Sequence, residues 1–121
     1  MLPARARLRL SRGFKAVYGR GRSCATDLIV LYVLPRPSGT RVRIGFTAGK
    51  KVGGAVERNR AKRLMREAAR ALLPYITGSM DAVIVARRAI TDRSLAEVQT
   101  DLERLLTRSG VLQLPDEKSD T

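Results

Sequence analysis

Between Val56 and Leu73 two side-chain patterns share one helical period, and together they restrict what the chain can fold into. Ala61, Leu64, Met65, Ala68 and Leu72 recur at the spacing of an apolar helical stripe, and Pro74 stops the segment. Arg58, Lys62, Arg66 and Arg70 repeat every four residues on another side of the same helix, with Arg63 beside them. Such a helix must lay its stripe on a second layer and leave the cations outward, roughly opposite the stripe. Like charges at this spacing repel by roughly 0.2–0.5 kcal/mol per pair. Only Glu57 and Glu67 offset them. A merely solvated helix interleaves its signs. An unbalanced row suits a polyanion, where each neutralised phosphate releases counterions.

The second layer is legible on either side of this helix. Residues 23–34 read as a strand, and Leu28 to Leu34 is apolar on both alternations, as in a strand covered on both faces. Pro35, Pro37, Ser38 and Gly39 form a loop. Arg41 to Ala48 then alternates, with Val42, Ile44, Phe46 and Ala48 on one face and Arg41, Arg43, Gly45 and Thr47 on the other. The two runs are expected to pair as an antiparallel hairpin. Asp81 to Arg87 reads as a third strand. Ser11 caps a helix over about residues 12–20, with Phe14, Val17 and Tyr18 on one face and Gly19 and Gly21 as stops. A capping box, Ser94 to Glu97, opens a last helix whose stripe is Leu95, Val98, Leu102, Leu105 and Leu106, and Gly110 ends it. The expected fold is α+β, a two-layer α-β sandwich in the order α-β-β-α-β-α around a small mixed sheet. Residues 1–114 are expected to form a single domain. The first ten are basic and expected to be extended, and 115–121 are expected to form a disordered polar tail.

Charge and composition narrow the chemistry. The 121 residues carry 24 Lys and Arg against 11 Asp and Glu, a net charge of +13. The excess is confined to residues 1–74, which hold 18 basic and 3 acidic side chains, whereas 75–121 hold 6 and 8. A nucleic-acid footprint is therefore expected in the first two thirds. Most of the cations are arginine, which forks onto phosphate and stacks on bases. There is no histidine, and Cys24 is the one cysteine. Ser-His-Asp and Cys-His catalysis and a Cys/His zinc site are excluded, and no internal disulfide can form. No pair of carboxylates stands out as catalytic or as a metal site. The N-terminus lacks the apolar stretch of a secretory signal, and the longest apolar run, Leu28 to Leu34, is too short to span a bilayer. A cytoplasmic protein without membrane contact is expected.

Several residues read two ways. Asn59 interrupts the cationic row, and its amide suits either a base edge or ribose hydroxyl or the cap of the helix. The loop Gly49-Lys-Lys-Val-Gly-Gly54 places Lys50 and Lys51 before a helix start, where free N–H groups and the positive dipole end attract phosphate. It lacks the P-loop pattern, and it reads equally as a plain strand-to-helix turn. Phe14, Tyr18 and Tyr32 lie in the basic portion, where rings stack unpaired bases. By spacing alone, Phe14 fits core packing better. Arg87 and Arg88 close the third strand, either bordering the same groove or solvating the strand end.

The stretch Gly45-Phe-Thr-Ala-Gly-Lys-Lys-Val-Gly-Gly-Ala-Val-Glu-Arg-Asn-Arg-Ala-Lys-Arg-Leu-Met-Arg-Glu67 resembles the signature of bacterial ribonuclease P protein subunits. Leu8-Arg-Leu-Ser-Arg-Gly-Phe14, its spacing to Tyr18, and Val85-Ala-Arg-Arg88 fit the same family. The resemblance spans roughly residues 5–108. It implies a left-handed β-α-β crossover through the central helix, against the usual hand. It implies that the Arg58-Asn59-Arg60 helix, with Lys62, Arg63, Arg66 and Arg70 and the Lys50–Lys51 loop, binds a catalytic RNA. It also implies a cleft for the single-stranded 5′ leader of precursor tRNA, using Phe14, Tyr18, Tyr32, Arg87 and Arg88 with help from Lys50, Lys51 and Arg66. Hydrolysis would then belong to the RNA with Mg²⁺, with no dedicated metal site on the protein and no protein partner required. Two positions depart from the family pattern: Gly49 stands where serine is frequent before Lys-Lys, and Gly54 where asparagine is frequent before Ala-Val. A ribosome-associated RNA-binding protein of the same fold would match the charge and size equally well. A stand-alone nuclease finds no side-chain machinery.

Overall fold

A computed structural model describes the chain over residues 11–113; the expectations for the basic N-terminus and for the polar tail lie outside the described residues. Three helices and four strands follow in the order α1 (Ser11–Arg20), β1 (Arg22–Ala25), β2 (Ile29–Pro35), β3 (Arg43–Thr47), α2 (Ala55–Leu72), β4 (Met80–Ala86) and α3 (Leu95–Arg108). The α+β class and the three helices agree with the sequence reading.

The sheet order is β1-β2-β4-β3, which corrects the expected hairpin. Residues 23–34 are not one strand. Thr26 Oγ1 accepts the N–H groups of Leu28 and Ile29, and this turn folds the run back on itself. The antiparallel hairpin is therefore β1–β2. β3 pairs in parallel with β4, through the α2 crossover, while β4 runs antiparallel to β2. Burial explains the outcome. In β4 every residue but Val85 is buried, so it takes a central place, whereas the shorter β3 keeps a half-exposed edge.

Helices cover the two faces unequally. Ile29, Leu31 and Val33 of β2, Ile44 of β3 and Ala82, Ile84 and Ala86 of β4 form one core with Ala61, Met65, Ala68, Ala69 and Leu72 of α2 and Val98, Leu102, Leu105 and Leu106 of α3. Leu95, assigned to the α3 stripe by spacing, is exposed at the first helical position. Among the described residues, the opposite face carries only α1, whose Val17 packs on Val83 with Phe14, Tyr32, Leu34 and Val85 around them. α1 docks tightly because Gly21 follows it. A Cβ there would lie 2.5 Å from the Val17 carbonyl oxygen and 2.8 Å from that of Val33. The capping box of α3 forms as expected. Ser94 Oγ accepts from Glu97 N–H, and the Glu97 carboxylate accepts from Ser94 N–H at 2.9 Å, a bond that holds its pKa below the usual value. Among the described residues, no helix is long and apolar enough to cross a membrane.

Candidate nucleic-acid interface

The α2 cations do not sit opposite the stripe as a single outer row. Arg58, Lys62 and Arg66 are half-buried along one flank, while Asn59, Arg63 and Arg70 are exposed. The flank borders the edge strand, because Arg66 lies over the Phe46 ring at 5.6 Å. Its Nε is buried without a hydrogen-bond partner. Among the described residues no carboxylate pairs with Arg58, Lys62, Arg63 or Arg66, so their charge stays available. Arg70 pairs with Glu67 at 3.1 Å. Asn59 lies in the second turn of a helix whose N-cap is Gly54, which removes its capping reading.

Two expectations about this helix change. Arg60 groups by sequence with the RNA-binding cations, but its guanidinium faces the other flank. It donates to the carbonyls of Thr91 at 2.6 Å and Arg93 at 2.9 Å, tying α2 to the turn before α3. Nor does the helix start present a bare positive end. Glu57 reaches back and accepts the Gly54 N–H at 2.9 Å. Gly53 makes room for this with φ +148° and a Cβ position only 2.9 Å from Glu57 Cβ. Glu57 satisfies only the Gly54 N–H, and glycine has no side chain to accept the Val56 or Glu57 N–H, as an asparagine at position 54 would. Lys50 and Lys51 remain the cations of this loop. The contrast within one helix is testable. Arg60→Ala should lower stability by about 1–2 kcal/mol and leave the salt dependence of RNA binding unchanged. Arg63→Ala should keep the melting temperature and flatten the slope of log K against log salt by roughly 0.7–0.9. Thermal melts and binding titrations at several salt concentrations read both.

On the opposite face the predicted aromatics come together. Phe14 and Tyr18 meet edge-to-face with centroids 6.3 Å apart, and Tyr18 meets Tyr32 in the same way at 4.9 Å. Phe14 is half-buried on the Val17–Val83 cluster, as core packing requires, while Tyr18 is 43% exposed. Partial burial, then the neighbouring Tyr32, raises the Tyr18 phenol above its ordinary pKa, so it stays an O–H donor at neutral pH. At the end of the sheet, Lys50, Lys51, Arg87 and Arg88 surround a groove of about 560 Å³ with Ala86 in its wall. Arg87 also donates to the Thr26 carbonyl at 3.1 Å. Arg66, expected to help this cleft, lies instead on the α2 side of the sheet against Phe46.

One cluster escaped the sequence reading. Asp81 is the one buried charged residue among those described, at 5% exposure. Arg43, its register partner across β3–β4, grips it through Nε at 2.8 Å and Nη2 at 2.7 Å. Arg36 Nη1 stands 3.6 Å from Oδ1, the oxygen that also accepts from Arg43 Nε. The Asp81 hydrogen bond raises the Arg43 pKa further. The available signal was a lone acid opening an otherwise apolar strand.

With this geometry in place, comparison with known proteins is informative. The family model described as Ribonuclease P matches residues 2–110. The ribonuclease P protein component of Symbiobacterium thermophilum is 44% identical over 107 residues, covering 88% of this chain and 93% of that protein. That of Shouchella clausii is 41% identical over 106 residues, covering 88% and 87%. Among solved structures, the RNase P protein of Staphylococcus aureus superposes with a TM-score of 0.78 at 28% identity, over 89% of this chain and 98% of that one. The Thermotoga maritima protein, solved with 1-(4-fluorophenyl)-2-thiourea, gives 0.74 at 29% identity, over 84% and 98%.

Proposed function

This chain belongs to the ribonuclease P protein family, a component of an endoribonuclease that partners the ribonuclease P RNA, and from that premise we propose how it works. The α2 cations Arg58, Lys62, Arg63, Arg66 and Arg70, with Asn59 and the Lys50–Lys51 loop, bind the catalytic RNA. Tyr18 and Tyr32, backed by Phe14 and bordered by Arg87 and Arg88, take the single-stranded 5′ leader of precursor tRNA. The protein promotes removal of that leader by neutralising phosphate repulsion and positioning the substrate, in the cytoplasm. Hydrolysis belongs to the RNA with its Mg²⁺. Four of the described carboxylates have structural partners: Asp81 pairs with Arg43, Glu57 and Glu97 cap helices, and Glu67 pairs with Arg70.

The observation that carries this reading is the pairing of two unlike surfaces on one small sheet. One is a helix whose Arg58, Lys62, Arg63 and Arg66 have no paired acid among the described residues, suited to folded RNA; the other is an exposed ring beside cations, suited to unpaired bases. Reconstitution with a bacterial ribonuclease P RNA tests it. At low Mg²⁺ the particle should cleave precursor tRNA faster than the RNA alone. Equal rates would defeat the assignment.

A further inference from the structure

A second groove, on another flank of α1, has no part in the reading above. It measures about 470 Å³, and its walls include Gly13, Ala16 and Arg20 of α1 and Arg36, Arg43 and Asp81 at the end of the sheet. Gly13 and Ala16 leave open the space that larger side chains on this flank would fill. Among the described residues Asp81 is the only acid in its lining, against the guanidiniums of Arg20, Arg36 and Arg43, a local excess of two positive charges.

A structural ion pair needs one guanidinium per carboxylate, and Arg43 already supplies it in a bidentate grip. Arg36 and Arg20 exceed that need. Among the described residues, Arg43 commits Nε and Nη2 to Asp81, and Arg36 commits Nη1 to Asp81 and to the Arg41 carbonyl, so each keeps a nitrogen unbonded. Guanidiniums oriented by a buried carboxylate lose little freedom on binding phosphate.

We propose that this groove is a phosphate-binding subsite for the leader, holding its backbone beyond the nucleotides at Tyr18 and Tyr32; the inference rests on the leader binding proposed above. Position selects this occupant. Tyr32 and Leu34 lie two residues apart on one face of β2, and Tyr18 and Arg20 share the last turn of α1, so the groove begins where the rings end. α2, the surface for the catalytic RNA, packs on the other face of the sheet. Arg87 and Asp81 stand at opposite ends of β4, roughly 20 Å apart at strand rise. A leader crossing this face therefore meets cations at both ends and rings between them.

The test uses the reconstituted particle and precursor tRNAs with short and long leaders, on the order of 4 and 16 nucleotides. The wild-type protein should bind the long-leader substrate more tightly than the short one. Arg20→Ala/Arg36→Ala, which leaves the Arg43–Asp81 pair in place, should bring that ratio close to one. It should also flatten the salt slope for the long leader by roughly 0.7 for each phosphate no longer neutralised. Arg36→Lys should restore part of the ratio, and melting curves identify any loss of folding. A double variant that keeps the wild-type ratio overturns the subsite while leaving the leader reading intact. An equal loss for long leader, short leader and mature tRNA overturns it by moving these arginines to the catalytic RNA. If the wild-type particle does not prefer leader-bearing over mature tRNA, the leader reading itself fails and takes the subsite with it.

Discussion

Tyr18→Ala is expected to weaken binding of leader-bearing precursor tRNA to the reconstituted particle by about 1–3 kcal/mol, roughly 5- to 150-fold, and binding of mature tRNA far less. The size follows from what one aromatic platform contributes to a stacked base. The location follows from exposure. Of the three rings, Phe14 and Tyr32 are half-buried on the Val17–Val83 cluster, and Tyr18 is the one that offers 43% of its surface. Its edge-to-face contact with Tyr32 at 4.9 Å holds the ring in place before a base arrives, so little side-chain entropy is lost on stacking. Tyr18→Phe should keep most of the affinity, because the stacking surface survives and only the phenol O–H is gone. Phe14→Ala should behave differently, lowering the melting temperature by removing part of the packing that docks α1. Parallel titrations of precursor and mature tRNA, with a thermal melt of each variant, separate the cases. Equal weakening for both RNAs on Tyr18→Ala would place the ring in the fold and not in the leader path.

The packing face of α1 and the apolar stripe of α2 were legible because spacing alone assigns faces. Phe14, Val17 and Tyr18 had to share one side of a helix, and the apolar stripe of α2 had to turn inward. Spacing failed where a side chain's partner comes from a distant element. Arg60 belongs by sequence to the Arg-Asn-Arg run, yet the carbonyls of Thr91 and Arg93 hold it, some thirty residues along the chain. Strand pairing failed for a related reason. An apolar run from Leu28 to Leu34 beside an alternating run from Arg41 to Ala48 looks like a hairpin. The competing strand Met80–Ala86 is more deeply buried than Arg43–Thr47, and it takes the place next to β2. The turn at Thr26 that makes the real hairpin rests on one hydroxyl accepting two N–H groups, too local a device for periodicity to register. The Asp81 cluster was hidden in the same way, since Arg36, Arg43 and Asp81 meet only once β3 and β4 are side by side.

That cluster gives the largest expected effect on stability. Arg43→Ala should destabilise the protein by about 3 kcal/mol and lower its melting temperature by roughly 10 °C or more. The Asp81 side chain is 7% exposed, and removing Arg43 strips it of two charge-assisted hydrogen bonds at 2.8 and 2.7 Å. Arg36 at 3.6 Å cannot replace them without moving, and it is already tied to the Arg41 carbonyl. The cost stays at the low end of the range for broken buried pairs because Arg43 itself is 38% exposed and water shares its charge. Removing both charges should cost less than removing one. In Arg43→Met/Asp81→Leu no ion is left buried, and apolar side chains of similar volume occupy the sites, so the double variant should melt above Arg43→Ala. The cycle also has a structural reading. Arg43 and Asp81 open the parallel β3–β4 ladder as direct register partners, so the pair sets where the α2 crossover rejoins the sheet. Hydrogen exchange should then show faster opening at the Arg43 end of β3 in Arg43→Ala, with the β2–β4 ladder still protected. If Arg43→Ala melts with the wild type, the pair is a surface contact, and the burial of Asp81 has to be balanced by something other than arginine.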